Sequence, residues 1–451
     1  MSALDQYLEL YREHHQLIDA NGAGPLNQPR GDAYAELAAM RLPAAGSDNY
    51  ENCDLEAMLE PDYGINLAKL DIDVNPQVTF RCDVPMLTES PMMLINDTFA
   101  APEAMLENMP AGVEVGSLRK FALDYPEEVS KYYGKLADLK NPIAALNTLL
   151  VQDGLYLRVK RGVRLEKPLQ LVNILENGMP LMAIRRLLIV VEEDAEARLL
   201  VCDHSQNPGV GFMDLEVVEI FAGCNSRFDY YNLEESTEKT TRLSALYLSQ
   251  DAGSHVSIDG LTLYNGTTRN EYYTKFNGKH AELHLYGMGI EDEDRKVSTY
   301  SHINHAHPDC VSNELFKFSL DDRAKGAFTG RIYVAPGAVK TEAYQSNRNL
   351  VNSDEAQMLS RPELEIYNDD VKCSHGCAIG KPDEMQLFYM RTRGLDEKTA
   401  KLLLKQAFMA DIIDKIGIPA LRDRLHLMVE RRFAGEKSAC AGCEVRVRPK
   451  T

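Results

Sequence analysis

Apolar residues in the first 40 positions recur at three- and four-residue spacing: Leu4, Tyr7, Leu8 and Tyr11, then Tyr34, Leu37 and Met40. That period puts them on one side of a helix, so helices are predicted over residues 3 to about 20 and 32 to 40. A looser stretch punctuated by Pro43, Pro61, Pro76, Pro85 and Pro91 follows, and a further helical region is predicted over 118–150, interrupted near Pro126 and Pro142. From about Gly154 to Cys373 the pattern changes to short alternating or continuous apolar runs broken by Gly, Asn and Asp. Examples are 155–159, 187–191, 215–220, 281–285 and 330–334, rich in Val, Ile, Leu and Tyr, and these read as strands. Helical spacing returns from Asp383 to about Phe433. Leu402, Leu403, Met409, Ile412, Ile413 and Ile416 share one face, with Lys401, Lys405, Gln406, Asp411, Asp414 and Lys415 on the other. Gly417 and Pro419 end that helix.

So many strands without intervening amphipathic helices exclude a doubly wound α/β sheet and leave a sandwich, a barrel or a stacked β-solenoid. Asn265-Gly266 and Asn277-Gly278 are hairpin-type signals, but the spacing is too irregular for a propeller and no strict repeat is legible. The solenoid is preferred, although composition alone leaves the choice open. The organisation expected is a helical region over 1–150, a strand-rich core over 151–380, a second helical region over 381–435 and a tail over 436–451.

The chain has 451 residues, 44% hydrophobic and 26% charged, enough to bury a sizeable core. Its 49 Lys and Arg against 68 Asp and Glu give a net charge of −19 with no basic tract, which argues against a nucleic-acid partner. The start lacks the basic and apolar segments of a signal peptide, and no apolar run approaches ~18 residues, so a cytoplasmic protein without a membrane partner is expected. Nine cysteines, an odd number in such a chain, point to reduced thiols. Cys53, Cys82, Cys202 and Cys224 stand alone and are expected as small buried hydrophobes.

The candidate chemistry lies elsewhere. Cys373 and Cys377 flank His375; in a strand, residues two apart share a face at roughly 6–7 Å, so Cys373 and His375 can present a thiolate and an imidazole side by side, a donor pair that suits iron. The plainer reading makes the cysteine core filler and the histidine a turn residue. Cys440 and Cys443 form a single Cys-x-x-Cys, half a zinc site, next to the basic end 446–450. His280, Glu282 and His284 would share an outward strand face, with Ala281, Leu283 and Leu285 buried. Residues 376–382 resemble a phosphate loop but are one residue short, and Pro382 stands where Ser or Thr is needed, so no nucleotide site is expected. The acidic run 291–294 reads as a solvated turn. Neither Gly-x-Ser-x-Gly nor His-Glu-x-x-His occurs.

Several pieces match a known family in order. Phe328-Thr329-Gly330-Arg331-Ile332 precedes the stretch 338–345, ending Ala343-Tyr344-Gln345; Asn347-Arg348-Asn349-Leu350 leads to 361–376, ending Cys373-Ser374-His375-Gly376. Upstream, His305-Ala306-His307-Pro308-Asp309-Cys310-Val311-Ser312 fits a His-x-x-Pro-x-Cys-x-Ser pattern, with weaker matches at 152–154 and 391–394. Over roughly its C-terminal two thirds the chain resembles the SufB/SufD family of iron–sulfur cluster assembly scaffolds. SufB-like chains carry Glu-His-Glu after the cysteine; Cys373-Ser374-His375-Gly376 favours the SufD-like branch, from which Cys377-Ala378 departs in place of Ala-Thr.

The resemblance implies a mainly β fold, with a right-handed parallel β-helix core flanked by N-terminal and C-terminal helical regions. It implies a non-catalytic scaffold that pairs with a SufB-like subunit and docks a SufC-like ABC-type ATPase through the region from Asp383 onward, whose removal is expected to abolish ATPase capture. A transient iron–sulfur cluster would be shared with the partner and none held stoichiometrically by the isolated chain, for which monomer and homodimer are both left open. His375 and Cys373 are the implied cluster ligands, with Cys377, Cys440 and Cys443 as further candidates. His305 and Cys310 are expected to support packing or pairing near the subunit interface. The competing readings are a β-helix polysaccharide lyase or hydrolase, and a purely structural interaction module.

Overall fold

The computed structural model describes residues 2–69, 87, 91–205 and 207–435. Helix Ala3–Asn21 opens on Ser2, whose hydroxyl accepts from the Asp5 N–H while the Asp5 carboxylate accepts from the Ser2 N–H. Pro126 and Pro142 do not interrupt one long helix. Each takes the first position of its own, Pro126–Ser130 and Pro142–Leu150, where a missing N–H costs nothing.

From Gly154–Val159 to Lys372–Gly380, successive strands alternate between two sheets, and each pairs in parallel with the strand two places further on. The result is a parallel β-solenoid of about eight coils with helices at both ends. Gly154 stacks on Arg186, Thr241 on Thr267 and Lys325 on Gln357, so the coil length falls from 32 residues to 26 and returns to 32, and no repeat shows in the sequence. Asn265-Gly266 and Asn277-Gly278 lie at corners where the chain passes between sheets, and form no hairpin. A Cβ on Gly266 would come within 2.3 Å of the Glu238 carbonyl oxygen, and one on Gly278 within 2.4 Å of the Ala252 nitrogen, so glycine is what lets successive corners stack.

The lumen is packed with Leu155, Ile189, Ile220, Phe228, Leu285, Phe318, Phe328 and their neighbours. Two further apolar layers lie outside it. Helix Pro142–Leu150 and its N-terminal companions cover Met182, Ile184, Leu188, Leu215 and Val217 on the outer face of the sheet that begins at Val113–Ser117. Helices Glu397–Ile413 and Pro419–Phe433 cover Leu200, Tyr231, Leu261, Met288 and Ile290 on the outer face of the other sheet. Each such side chain contributes roughly 1.5–3 kcal/mol when fully buried. No helix among the described residues is long and apolar enough to cross a membrane.

Two expectations are corrected. The acidic run is not merely solvated: Glu291 is buried, and Asp292 accepts from Arg432 of the last helix, whose guanidinium also donates to the Leu263 and Ile290 carbonyls. The run anchors the C-terminal helices. His280 lies outside the strand Glu282–Glu291, at a positive φ of 60°, so it does not share a strand face with Glu282 and His284. Glu282 instead sits between His284 Nε2 (2.9 Å) and His255 Nδ1 (3.0 Å), a neighbour the local pattern could not supply.

Candidate functional site at the open end of the solenoid

The two ends of the solenoid are built differently. At the first, Val113–Ser117 closes one sheet by antiparallel pairing with Gly154–Val159, and Met92–Ile95 continues the other, followed by the antiparallel strand Thr98–Ala100. Asp153 ties this cap together, its Oδ1 accepting from Ser117 Oγ (2.8 Å) and from the N–H groups of Arg119 (3.0 Å) and Gly154 (2.8 Å). At the far end, Gln357–Ile366 and Lys372–Gly380 are the outermost strands, and no described strand pairs with their free edges.

Cys373, His375 and Cys377 lie on that last strand and share one face of it. The register continues three columns: Ser312, Ala343, Cys373; Glu314, Gln345, His375; and Phe316, Asn347, Cys377. Ala343 and Phe316 belong to the lumen core and Cys373 packs against it, so all three columns face the lumen. The sequence expectation that Cys373 and His375 sit side by side is met in register, and Cys377 extends the row. Burial pushes the Cys373 thiol above its ordinary pKa, with the Ala343 backbone N–H pulling it partly back, whereas His375 and Cys377 are exposed. Cα atoms two apart in a strand are roughly 6–7 Å from each other. The row is thus a line of donors and not a cage, and no set of three His, Cys, Asp or Glu suited to holding a metal occurs among the described residues.

Beneath the row the lumen turns polar. Gln345 Nε2 donates to Glu314 Oε2 (2.6 Å), and Asn347 Oδ1 accepts from Asn349 Nδ2 (2.6 Å) and Ser360 Oγ (2.7 Å). Burial pushes Glu314 up to about 7, opposed by the hydrogen bond from Gln345. Sequence reasoning missed this lining, although the alternation Ala343, Gln345, Asn347, Asn349 carries its signal.

The remaining candidates separate. His305 is buried, stacked on Phe276 and bonded through Nε2 to Ser312 Oγ (2.8 Å); burial pushes it down to about 3, and with buried Cys310 it serves packing. Residues 376–380 are strand, not a phosphate-binding loop. Cys53 and Cys202 are buried and Cys224 partly so. Cys82, Cys440 and Cys443 lie outside the described residues. A surface cleft of about 450 Å³ holds Glu196, Arg198, Arg227, Asp229, His255, Glu282 and His284, the mixture of carboxylates and bases that a lyase reading would ask for. Its Glu282 is already held by two imidazoles.

Fold and site together define a β-solenoid protein with a row of thiol and imidazole donors at an unfinished end. The chain belongs to the SufBD family of the SUF system of iron–sulfur cluster assembly: the SufBD core domain matches residues 174–408 and the SufBD N-terminal region residues 1–171. It is 26% identical over 438 residues to an iron–sulfur cluster assembly SufBD family protein of Synechocystis, covering 95% of this chain and 96% of the relative. It is 25% identical over 443 residues to the iron–sulfur cluster assembly protein SufD of Escherichia coli, covering 96% and 99%. A SufD of Bacillus subtilis is 25% identical over 329 residues, covering 71% of this chain and 74% of the relative.

Proposed function

We propose that the chain is a non-catalytic scaffold subunit whose open end pairs with a SufB-like subunit and lends His375 and Cys373, with Cys377 alongside, to a nascent iron–sulfur cluster. The observation that carries this reading is the coincidence, on one uncovered strand, of an unpaired edge and a row of iron-type donors. A line of donors cannot surround a cluster, so the remaining ligands come from across the interface. Glu282 in the cleft is held between two imidazoles, and family membership points to assembly.

The ATPase dock is placed on helix Glu384–Thr392. None of its residues is buried, and Met385, Phe388 and Tyr389 are 76%, 65% and 56% exposed. The two helices after it are spoken for by the solenoid, so removing everything from Asp383 onward would strip a buried face as well as the dock, and point substitutions are the cleaner probe.

The test is reconstitution of the complex with ferrous iron and sulfide, scoring assembly and bound iron separately. His375→Ala leaves a small side chain on an exposed strand, so assembly stays intact while bound iron falls about tenfold or more. Cys373→Ser has a smaller effect. Normal iron loading by an intact His375→Ala complex would make the residue structural.

A further inference from the structure

Three sequence stretches that match the family meet at a single level of the lumen. The first supplies Gly330, the second Gln345 and the third His375. Gln345 and His375 are register partners on adjacent strands, and Glu314 lies next in the same column. Across the lumen, Ser301 and Gly330 pair at the matching level of the other sheet. A Cβ at position 330 would meet Gln345 Nε2 at 2.2 Å and Phe328 Cζ at 2.7 Å, so the slot that holds the Gln345 amide exists because residue 330 is glycine.

The amide is half satisfied. Its Nε2 donates to Glu314, but its Oε1 is buried and has no donor among the described residues. Gln345 is only 3% exposed, so solvent does not make up the loss, and a buried acceptor left without a donor is unfavourable. His375, directly beside it, makes no side-chain hydrogen bond among the described residues. A missing donor and a missing acceptor therefore stand next to each other.

Resting on the cluster-site reading above, we infer that Gln345 is the positioning residue for His375. When a partner covers the open end, an imidazole N–H donates to Gln345 Oε1, completing a relay from Glu314 through Gln345 to His375. The relay fixes the tautomer of the ring and leaves its other nitrogen free for iron, the part that outer hydrogen-bond partners play for ligating histidines in general.

Two variants separate this role from slot filling. Gln345→Met fills the slot without an amide; Glu314→Gln combined with Gln345→Glu exchanges amide and carboxylate and keeps both hydrogen bonds. In the complex reconstituted with ferrous iron and sulfide, Gln345→Met should assemble normally and bind about tenfold less iron, and the exchanged pair should recover to within about threefold of the parent. Normal loading by Gln345→Met, with His375→Ala deficient, overturns the relay and leaves the site standing. Normal loading by both overturns the site reading, and the relay with it. If Gln345→Met fails to fold, the exchanged pair decides: parental loading supports the relay, and a folded, iron-poor exchange variant overturns it.

Discussion

The two ends of this solenoid answer the same physical problem in opposite ways. Every parallel stack leaves a free row of N–H and C=O groups at each end, and proteins normally cover, shorten or charge such edges to prevent unwanted pairing. The first end is covered. Antiparallel strands extend it, and Asp153 Oδ1 accepts there from Ser117 Oγ (2.8 Å) and from the N–H groups of Arg119 (3.0 Å) and Gly154 (2.8 Å). At the last end no described strand pairs with the edge, and Leu359, Ile366, Tyr367 and Ile379 are exposed. An end finished by the chain itself serves stability; an end left unfinished is, on the function proposed above, the surface offered to a partner.

The sharpest way to break this comparison is to block the free edge without disturbing the fold. Lys372 donates its backbone N–H inward to Thr341, so by alternation Cys373, His375, Cys377 and Ile379 point theirs outward. Ile379→Pro removes one outward donor at a position where an edge strand tolerates proline. Pairing with the SufB-like partner should weaken about 100-fold, read by titration calorimetry, while the melting temperature of the isolated chain moves by no more than about 2 °C. A stability loss with unchanged affinity would mean the edge is structural.

A smaller effect is expected on the overhanging helix. Met385→Asp with Phe388→Asp should lower capture of the SufC-like ATPase about 30-fold in a pull-down titration and leave pairing with the SufB-like partner unchanged. Equal losses of both would merge the two surfaces into one.

The smallest effect concerns the lumen. Near the capped end, carboxylates lie beside guanidinium groups, as in Arg185 to Asp214 (2.9 Å) and Arg242 to Glu216 (2.8 Å). Near the open end Glu314 accepts from Gln345, and no cation lies beside it among the described residues. Its folded pKa, raised from 4.5 to about 7, means the native state holds a proton that the unfolded chain releases first. Its contribution is therefore full below the unfolded value and is lost as pH rises to about 7. Glu314→Gln should flatten that part of the stability profile and stabilise the chain by roughly 1–2 kcal/mol at pH 8, measured by urea unfolding. An unchanged slope would show that the carboxyl is not desolvated.

The strands and terminal helices were legible because Val, Ile and Leu alternate or cluster where a face is buried, as at 187–191 and 409–416. The coil period was not legible, because the coils shorten and then lengthen again along the stack and the register is carried by contacts some 26 to 32 residues apart. Cys373 and His375 were found through a local motif. Their surroundings were hidden because Gln345, Asn347 and Asn349 look like an outward polar face, and only the stacking of the coils shows that they point into the lumen. The acidic run misled for a related reason: Arg432, the partner of Asp292, lies 140 residues away in the sequence.

Hydrogen–deuterium exchange on the isolated chain and on its complex with the SufB-like partner tests the central claim most directly. On complex formation, the segment 372–380 should become protected, with its outward N–H groups at Cys373, His375, Cys377 and Ile379 responsible, while the capped end at 98–100 and 113–117 stays unchanged. A complex that forms without added protection of 372–380, or with protection confined to the capped end, would contradict the account.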